Sequence, residues 1–280
     1  MESPVDAGAM SAIMSKADVI ALVKAAIASP ANPLPVPPST AIKLLQMTRK
    51  ADVRFDDVVG LMEADPLVAA KVLAVAQSSY YSRGARIRSL RDAIVRIGLL
   101  ELAQLFLEIT ASVRIFKAKG FEQAMSSLVR HSSATAQLSR VIARHAQVED
   151  EHTFMCALLH DVGVAIGANA VGTLWPLDMV WPGIIEAHAE VGRLVCEAWQ
   201  LPPDIAPFVA AHHAHDLGSA PNPAACVIAV SDWMAARLGF RVPNEPLPES
   251  PQEELRLLQL GDEQLAQIQI EAQEIAARIK

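Results

Sequence analysis

The sequence predicts an all-α protein, and three features of its composition support that fold class. Aromatic residues make up only 5%, whereas Ala, Leu, Glu, Gln and Arg recur along the whole chain. Unbranched side chains of this kind lose little rotamer freedom in a helix. The 18 prolines cluster between segments with helical periodicity. With 280 residues, 52% of them hydrophobic, the chain can form one compact unit or two closely packed ones.

The first predicted helix starts at Ser15, after a loose N-terminal tail, and places Val19, Ile20, Val23 and Ile27 on one face. The proline-rich segment 30–38 follows. We expect an extended connector there, because proline does not fit the interior of a helix. Residues 1–29 are therefore predicted to be a tail followed by a single helix.

Helix boundaries are clearest in the next part of the chain, up to about residue 120. At Asp65–Pro66 a capping carboxylate precedes a proline at the first helical position, and the apolar run LVAAKVLAVAQSS follows. Ser89 and Asp92 have the spacing of a capping box. Gly98 predicts a break before the largely apolar helix LLELAQLFLEITASV.

Residues 121–240 carry the histidines, and they lie in segments with helical periodicity. The pair His160–Asp161 closes the apolar run TFMCALLHDVG, where a carboxylate beside an imidazole needs a partner. His131 is predicted to open the helix HSSATAQLSRVIA. The last segment, 241–280, begins with a proline-rich loop and continues as one or two polar helices.

Seven residues in this stretch are candidate metal ligands. One histidine on an apolar face is more often a core residue than a ligand, but four helices that each offer an imidazole or carboxylate favour a metal site. Such ligands without thiolate fit one or two divalent ions, of iron, zinc, manganese or nickel. A carboxylate that bridges two ions suits phosphoester hydrolysis. The candidates are His131, His160, Asp161, His188, His212, His213 and Asp232.

Charge and cysteine content exclude several classes of protein. The net charge of −7 argues against binding to duplex nucleic acid, which requires a basic face. The three cysteines lack CxxC spacing, which argues against disulfides and thiolate zinc sites and favours a reducing compartment. The chain has no signal-peptide pattern and no uncharged run long enough to cross a membrane. We therefore expect a cytoplasmic protein without a membrane partner.

The order of the candidate ligands resembles the H…HD…H…HH…D arrangement of the HD superfamily of metal-dependent phosphohydrolases. Three further segments resemble the HD-related output domain, or HDOD, of bacterial signalling proteins. They read LPVPPSTAIKLLQM, LMEADPLVAAKVLAVAQSSYYSRGARIRSLRDAIVRIGLLEL and HAEVGRLVCEAWQLP. The likeness covers about residues 30–240. Its DP…S…SL.DAI..IG pattern is specific, whereas an HD dipeptide is not.

This resemblance implies an N-terminal helical lobe over residues 30–120, packed against an HD-like helical lobe over residues 121–240, with 241–280 as a helical extension. It also implies a regulatory or output role. The HDVGV segment lacks the lysine of the HDIGK motif, and no GYP signature is present. Both departures argue against cyclic-di-GMP phosphodiesterase activity of the HD-GYP kind. We expect a stand-alone protein, because no receiver or GGDEF domain fits in the remaining residues.

The preferred functional hypothesis is a bacterial signal-transduction protein that binds a metal and acts on a partner protein. The alternative is a metal-dependent phosphohydrolase or phosphodiesterase that acts on a nucleotide or cyclic nucleotide. In that case His160 and Asp161 are the catalytic pair, Asp161 bridges two ions, and a metal-activated water is the nucleophile. Metal or redox sensing without turnover is a third hypothesis. Only Arg193 offers a basic residue for substrate phosphate near a candidate ligand, which slightly favours the signalling role.

Overall fold

The computed structural model describes residues 13–29, 35, 39–47, 52–78, 81, 87–148, 153–172, 175–201, 203, 205–213 and 222–279. Within these residues all regular secondary structure is helical, which confirms the all-α prediction. Residues 1–12 of the predicted tail and all but Pro35 of the 30–38 connector lie outside this part of the chain. The helices are α1 (Lys16–Ala28), α2 (Ser39–Met47), α3 (Phe55–Glu63), α4 (Pro66–Ala76), α5 (Leu90–Ile97), α6 (Leu99–Thr110), α7 (Glu122–His145), α8 (Thr153–Leu159), α9 (Val162–Val171), α10 (Leu177–Ala198), α11 (Ile205–Ala210), α12 (Pro223–Arg237), α13 (Gln252–Leu257) and α14 (Asp262–Ile279).

Helices α2–α6 lie in the segment predicted to be the N-terminal lobe, and the helix starts predicted there are confirmed. The Asp65 carboxylate accepts the backbone N–H of Val68 at 3.3 Å, with proline at the first position of α4. The Ser89 hydroxyl accepts the N–H of Asp92 at 3.0 Å at the start of α5. Gly98 separates α5 from α6 with a positive φ of 95°, which favours glycine. A π-helical turn, Ala111–Ile115, then extends α6.

Helix α1 packs against α9 and α10 of the HD-like lobe. Its apolar face is confirmed in part: Val19 and Val23 are fully buried and Ile20 is half-buried, but Ile27, in the last turn of the helix, is 40% exposed. The backbone N–H of Met14 donates to the carbonyl of Met179 at 2.8 Å. A Cβ on Gly183 would lie 2.3 Å from the Met14 carbonyl oxygen, so this close approach requires glycine. The first helix therefore covers the lobe that carries the candidate ligands.

The prediction that His131 opens a helix is wrong. Helix α7 begins at Glu122, and His131 lies within it. The polar residues Ser126 and Ser127 suggest a boundary, but Met125 and Leu128 are buried and continue the apolar periodicity of the helix up to His131. The wide helical face that buries these residues therefore decides the boundary.

The C-terminal extension forms two helices, as one reading of its sequence predicts. Helices α13 and α14 pack on α12 and α7. They share a second apolar cluster with those helices, which includes Leu138, Ile142, Val230, Ile268 and Ile275. The extension is thus part of the hydrophobic core that supports the HD-like lobe.

One segment of the described chain, Thr153–Val171, has the length and apolar composition of a membrane span. However, 89% of it is buried inside the protein. It is also divided, because α8 ends at Leu159 and α9 begins at Val162, with His160–Asp161 between them. This segment is therefore core of the HD-like lobe and carries a polar pair at its centre.

Candidate metal centre

All seven predicted ligands meet in one cluster inside the HD-like lobe. His131 comes from the interior of α7, His188 from α10 and Asp232 from α12. His160–Asp161 lies at the junction of α8 and α9. His212 and His213 follow the end of α11 in a turn, not in the helix that their spacing suggests. Five of the seven residues are at least 96% buried, and they are His131, His160, Asp161, His188 and His212.

Two glycines allow α9 and α10 to touch beside this cluster. A Cβ on Gly163 would lie 1.8 Å from the carbonyl oxygen of His188 and 2.8 Å from the backbone nitrogen of Gly192. Gly163 follows Asp161 by two positions, and Gly192 follows His188 by four. This backbone contact therefore sets the distance between the Asp161 and His188 side chains.

The first set of ligands comprises His131, His160 and Asp232. The Nε2 atoms of His131 and His160 lie 3.0 Å apart. Oδ1 of Asp232 lies 3.2 Å from Nε2 of His131 and 4.0 Å from Nε2 of His160. One ligand atom from each residue falls within 4.8 Å of the other two, and the Asp232 side chain is 13% exposed. A divalent ion can be held among these three atoms.

The second set comprises three imidazoles. Nε2 of His188 lies 3.0 Å from Nε2 of His212 and 3.0 Å from Nε2 of His213. The three ligand atoms again lie within 4.8 Å of one another. His213 is exposed at the rim of the cluster. These three imidazoles form a separate group of donors, which comes from α10 and the turn after α11.

Asp161 lies between the two sets and directs one oxygen to each. Its Oδ2 is 3.3 Å from Nε2 of both His131 and His160. Its Oδ1 is 3.4 Å from Nε2 of His188 and 3.5 Å from Nε2 of His212. Both oxygens are buried, and neither has a hydrogen-bond partner among the described residues. Since a buried carboxylate requires compensation, this arrangement fits a pair of bridged cations.

The opposite edges of four imidazoles contact backbone carbonyls. His131 Nδ1 donates to Phe240 O (3.1 Å), and His160 Nδ1 donates to Ala157 O (2.7 Å). His212 Nδ1 donates to Val209 O (2.7 Å), and His188 Nδ1 donates to Ile185 O. A carbonyl oxygen only accepts hydrogen bonds, so each Nδ1 carries the proton. Nε2 of each ring is thereby available as a metal ligand.

The two sets hold protons differently. Burial lowers the pKa of His131 and His160, but the carboxylates of Asp161 and Asp232 outweigh burial and raise both pKa values above the usual range. Burial and the neighbouring rings act together on His212, and its pKa falls well below the usual value. A cation in the first set therefore has to displace protons, whereas His212 is already neutral.

Glu245, in the loop after α12, is a member of the cluster that the sequence did not predict. One of its carboxylate oxygens lies within 4.8 Å of ligand atoms of Asp161 and His188. Burial, followed by the negative charges of Asp161 and Asp232, raises the pKa of Glu245 to about 8. No motif marks this residue, because only the folded loop brings it to the centre.

Arg193, the predicted substrate residue, forms ion pairs within its own helix. Its guanidinium lies 2.6 Å from a Glu197 oxygen and 3.7 Å from a Glu190 oxygen. Among the described contacts, none joins Arg193 to the histidine cluster. Its role in substrate binding stays a prediction.

Comparison with known families now assigns the chain. The model of the HDOD domain matches residues 34–176, just over half of the sequence, and the model of the HD domain matches residues 128–237. The chain belongs to the HDOD family. The HD match contains every predicted ligand of this HDOD protein, and together the two matches confirm the resemblance found in the sequence.

Solved structures share the fold of this HDOD protein. An HDOD domain protein of unknown function from Geobacter sulfurreducens has a TM-score of 0.69 and 22% identity, over 93% of this chain and 96% of its own. A candidate metal-dependent phosphohydrolase from Shewanella amazonensis SB2B has a TM-score of 0.67 and 18% identity, over 94% and 98%. These likenesses show the fold of the chain.

Ribonuclease Y of Mycoplasma genitalium is a curated relative of this HDOD protein. It is 24% identical over 233 residues, which make up 76% of this chain and 45% of the relative. The chain spans about half the length of the curated relatives that it matches.

Proposed function

We propose that this HDOD protein binds two divalent cations in its HD-like lobe and hydrolyses a small phosphoester as part of bacterial signal transduction. The observation that carries this proposal is the position of Asp161, whose two buried oxygens face two separate groups of ligand nitrogens. A carboxylate in that position is suited to bridge two ions, and paired ions suit phosphoester hydrolysis.

The protein's own residues would hold and orient the reacting groups. Asp161 would fix the separation of the two ions, and the Nδ1–carbonyl hydrogen bonds of His131 and His160 keep their rings in one orientation. When bound, the cations would polarise phosphate oxygens and make a water molecule more acidic. His213 and Asp232 are more exposed than the other ligands, so substrate would approach from their side.

A small phosphoester fits this protein better than a long nucleic acid. The net charge is −7, and duplex or single-stranded nucleic acid is bound mainly through basic surfaces. Among the described ion pairs and hydrogen bonds, none joins a lysine or arginine to the side chain of a predicted ligand, and Arg241 donates to the backbone carbonyl of Glu245, not to its carboxylate. The cations themselves would therefore supply most of the positive charge for the substrate. We propose a cytoplasmic location, where nucleotides and cyclic nucleotides are candidate substrates.

The test measures hydrolysis of p-nitrophenyl phosphate, bis(p-nitrophenyl) phosphate and a panel of nucleotides by protein loaded with manganese, iron or zinc. We expect turnover by the wild type and only background hydrolysis by Asp161→Asn. Asp178→Asn, an exposed carboxylate at the start of α10, is the matched control and should keep full activity. Metal-loaded wild type without turnover on any of these compounds would reject hydrolysis.

Signalling without turnover is a second candidate, and the contact between the lobes favours it. Arg140 on α7 forms an ion pair with Glu101 on α6, with a nitrogen–oxygen distance of 2.8 Å for one of its contacts. Because α7 also carries His131, metal binding can alter the packing of the N-terminal lobe, which a partner protein would recognise. Hydrogen exchange of α6 with and without manganese tests this, and identical exchange in both states would reject it.

A further inference from the structure

The loop between α12 and α13 is fixed against the metal centre at several points. The carbonyl of Phe240 accepts the hydrogen bond from His131 Nδ1 at 3.1 Å. Val242 is 2% exposed and belongs to the main apolar core. The indole N–H of Trp181 donates to the carbonyl of Pro243 at 2.6 Å, and the Arg241 guanidinium donates to the carbonyl of Glu245 at 3.0 Å. These contacts hold the backbone on both sides of Asn244 in place, so the position of Glu245 is set by the fold.

The Glu245 carboxylate lies on the side of the centre formed by His188 and Asp161, where its oxygen is within 4.8 Å of their ligand atoms. Among the described residues, no hydrogen bond or ion pair engages this carboxylate. A carboxyl group held by the fold in a partly buried site without a hydrogen-bond or ion-pair partner there is suited to serve a cation, which would favour its ionised form. Carboxylate oxygens are suitable ligands for all of the divalent ions considered above.

The two sets of ligands differ in charge, and Glu245 would correct that difference. The first set contains the carboxylate of Asp232, whereas the second consists of three imidazoles. Both share Asp161, so an ion in the second set would have only part of one negative charge near it. Glu245 lies beside His188 of this second set and would supply a carboxylate of its own. With Glu245 the two sets would become similar in charge.

We propose that Glu245 is a displaceable ligand of the ion held by His188, His212 and His213, and that a phosphate group has to displace its carboxylate in order to bind. This inference rests on the proposed function, because it requires occupied metal sites. It adds a regulatory contact to the centre. An anion has to compete with the Glu245 carboxylate for the second ion, so anions that bind the ion weakly would not enter the site.

The experiment titrates metal-free wild-type protein and the Glu245→Gln variant with manganese, and then titrates each manganese-loaded protein with inorganic phosphate, by calorimetry. We expect the more weakly bound of the two manganese ions to bind the variant about tenfold or more less tightly than the wild type. Losses of this size are typical when a group that supports a metal ligand is removed. Phosphate should bind the loaded variant about tenfold more tightly, because a competing negative charge a few ångströms away has been removed.

Glu249→Gln removes the same charge from an exposed position of the same loop and is the matched control, with wild-type values expected for both ligands. Glu245→Asp keeps the charge but shortens the side chain, and should weaken the second manganese equivalent as Glu245→Gln does. Equal manganese and phosphate affinities in wild type and Glu245→Gln would overturn the inference while leaving the two-metal proposal intact. Wild-type protein that binds no manganese, iron or zinc would instead overturn the proposed function, and the role of Glu245 with it.

Discussion

The contact between Gly163 and the His188 backbone offers the most direct test of how the fold builds the metal centre. Replacing Gly163 with alanine adds a single methyl group at the crossing of α9 and α10. The new Cβ would lie 1.8 Å from His188 O, 2.7 Å from His188 C and 2.8 Å from Gly192 N. These are backbone atoms, so no side-chain rotation relieves the clash, and the two helices have to move apart.

The required movement follows from these distances. Real Cβ contacts are essentially never shorter than 3.0 Å, so the separation has to grow from 1.8 Å to at least that value. A displacement of His188 by this amount would carry its Nε2 away from Asp161 Oδ1, which is now 3.4 Å distant. Overpacking of this kind typically destabilises a protein by about 1–3 kcal/mol. At roughly 2–4 °C per kcal/mol for a chain of about this size, the melting temperature should fall by several degrees.

The assay combines metal analysis of the reconstituted protein with thermal unfolding followed by circular dichroism. We expect Gly163→Ala to keep the ion of the first set, to lose the ion of the second set, and to unfold at a lower temperature. Gly60→Ala is the matched control, because its Cβ would meet nothing within 4 Å. That substitution lies inside α3 and should stabilise the protein by ~0.5–1 kcal/mol. Gly163→Ala protein with two bound ions and an unchanged melting temperature would refute the reasoning.

Three further predictions concern the ligands. Asp161→Ala should remove both ions and leave the helical circular dichroism spectrum largely unchanged, because the N-terminal lobe makes no use of this residue; unchanged metal content would contradict the bridging role. His212→Ala should remove one ion and keep the other, and elemental analysis that finds both or neither would show that the sets are not separate. The pKa values of His131 and His160 are raised, so these rings keep a proton as pH rises through their usual range, and cation binding has to displace it. Metal affinity of the first set should therefore increase with pH, with proton release measurable by calorimetry in buffers of different ionisation enthalpy, and affinity independent of pH would argue against protonated histidines.

Local sequence signals predicted the elements that rest on local chemistry. The Asp65–Pro66 start of α4 and the break at Gly98 depend on capping and on backbone conformation, which neighbouring residues determine. The candidate ligands could also be identified from the sequence, because each lies on an apolar helical face or at a helix end. A polar residue at such a position is conspicuous, whether or not its partner is known.

Other features depend on contacts between distant segments and left no local signal. Glu245 lies in a proline-rich loop whose composition indicates only an irregular connection. The loop is held in place by two hydrogen bonds from distant segments, one from His131 to the Phe240 carbonyl and one from the Trp181 indole to the Pro243 carbonyl. The docking of α1 on α10 depends on the backbone contact at Gly183. Periodicity identifies the buried face of a helix but not the element that covers it, so these placements require the folded structure.

Helix α7 connects the metal centre to the other lobe, and this has a thermodynamic consequence. His131 on α7 contributes to the first set of ligands, while Ser133 and Gln137 of the same helix donate hydrogen bonds to Glu108 on α6, the latter at 2.8 Å. Burial raises the pKa of Glu108, and these two donors oppose that effect by favouring its ionised form. A cation bound by His131 would therefore act on a helix that also holds the half-buried carboxylate of Glu108 through Ser133 and Gln137. Because such coupling is reciprocal, a partner protein that shifted α6 would change the affinity of the centre for a cation by the same factor as the cation would change the affinity for that partner.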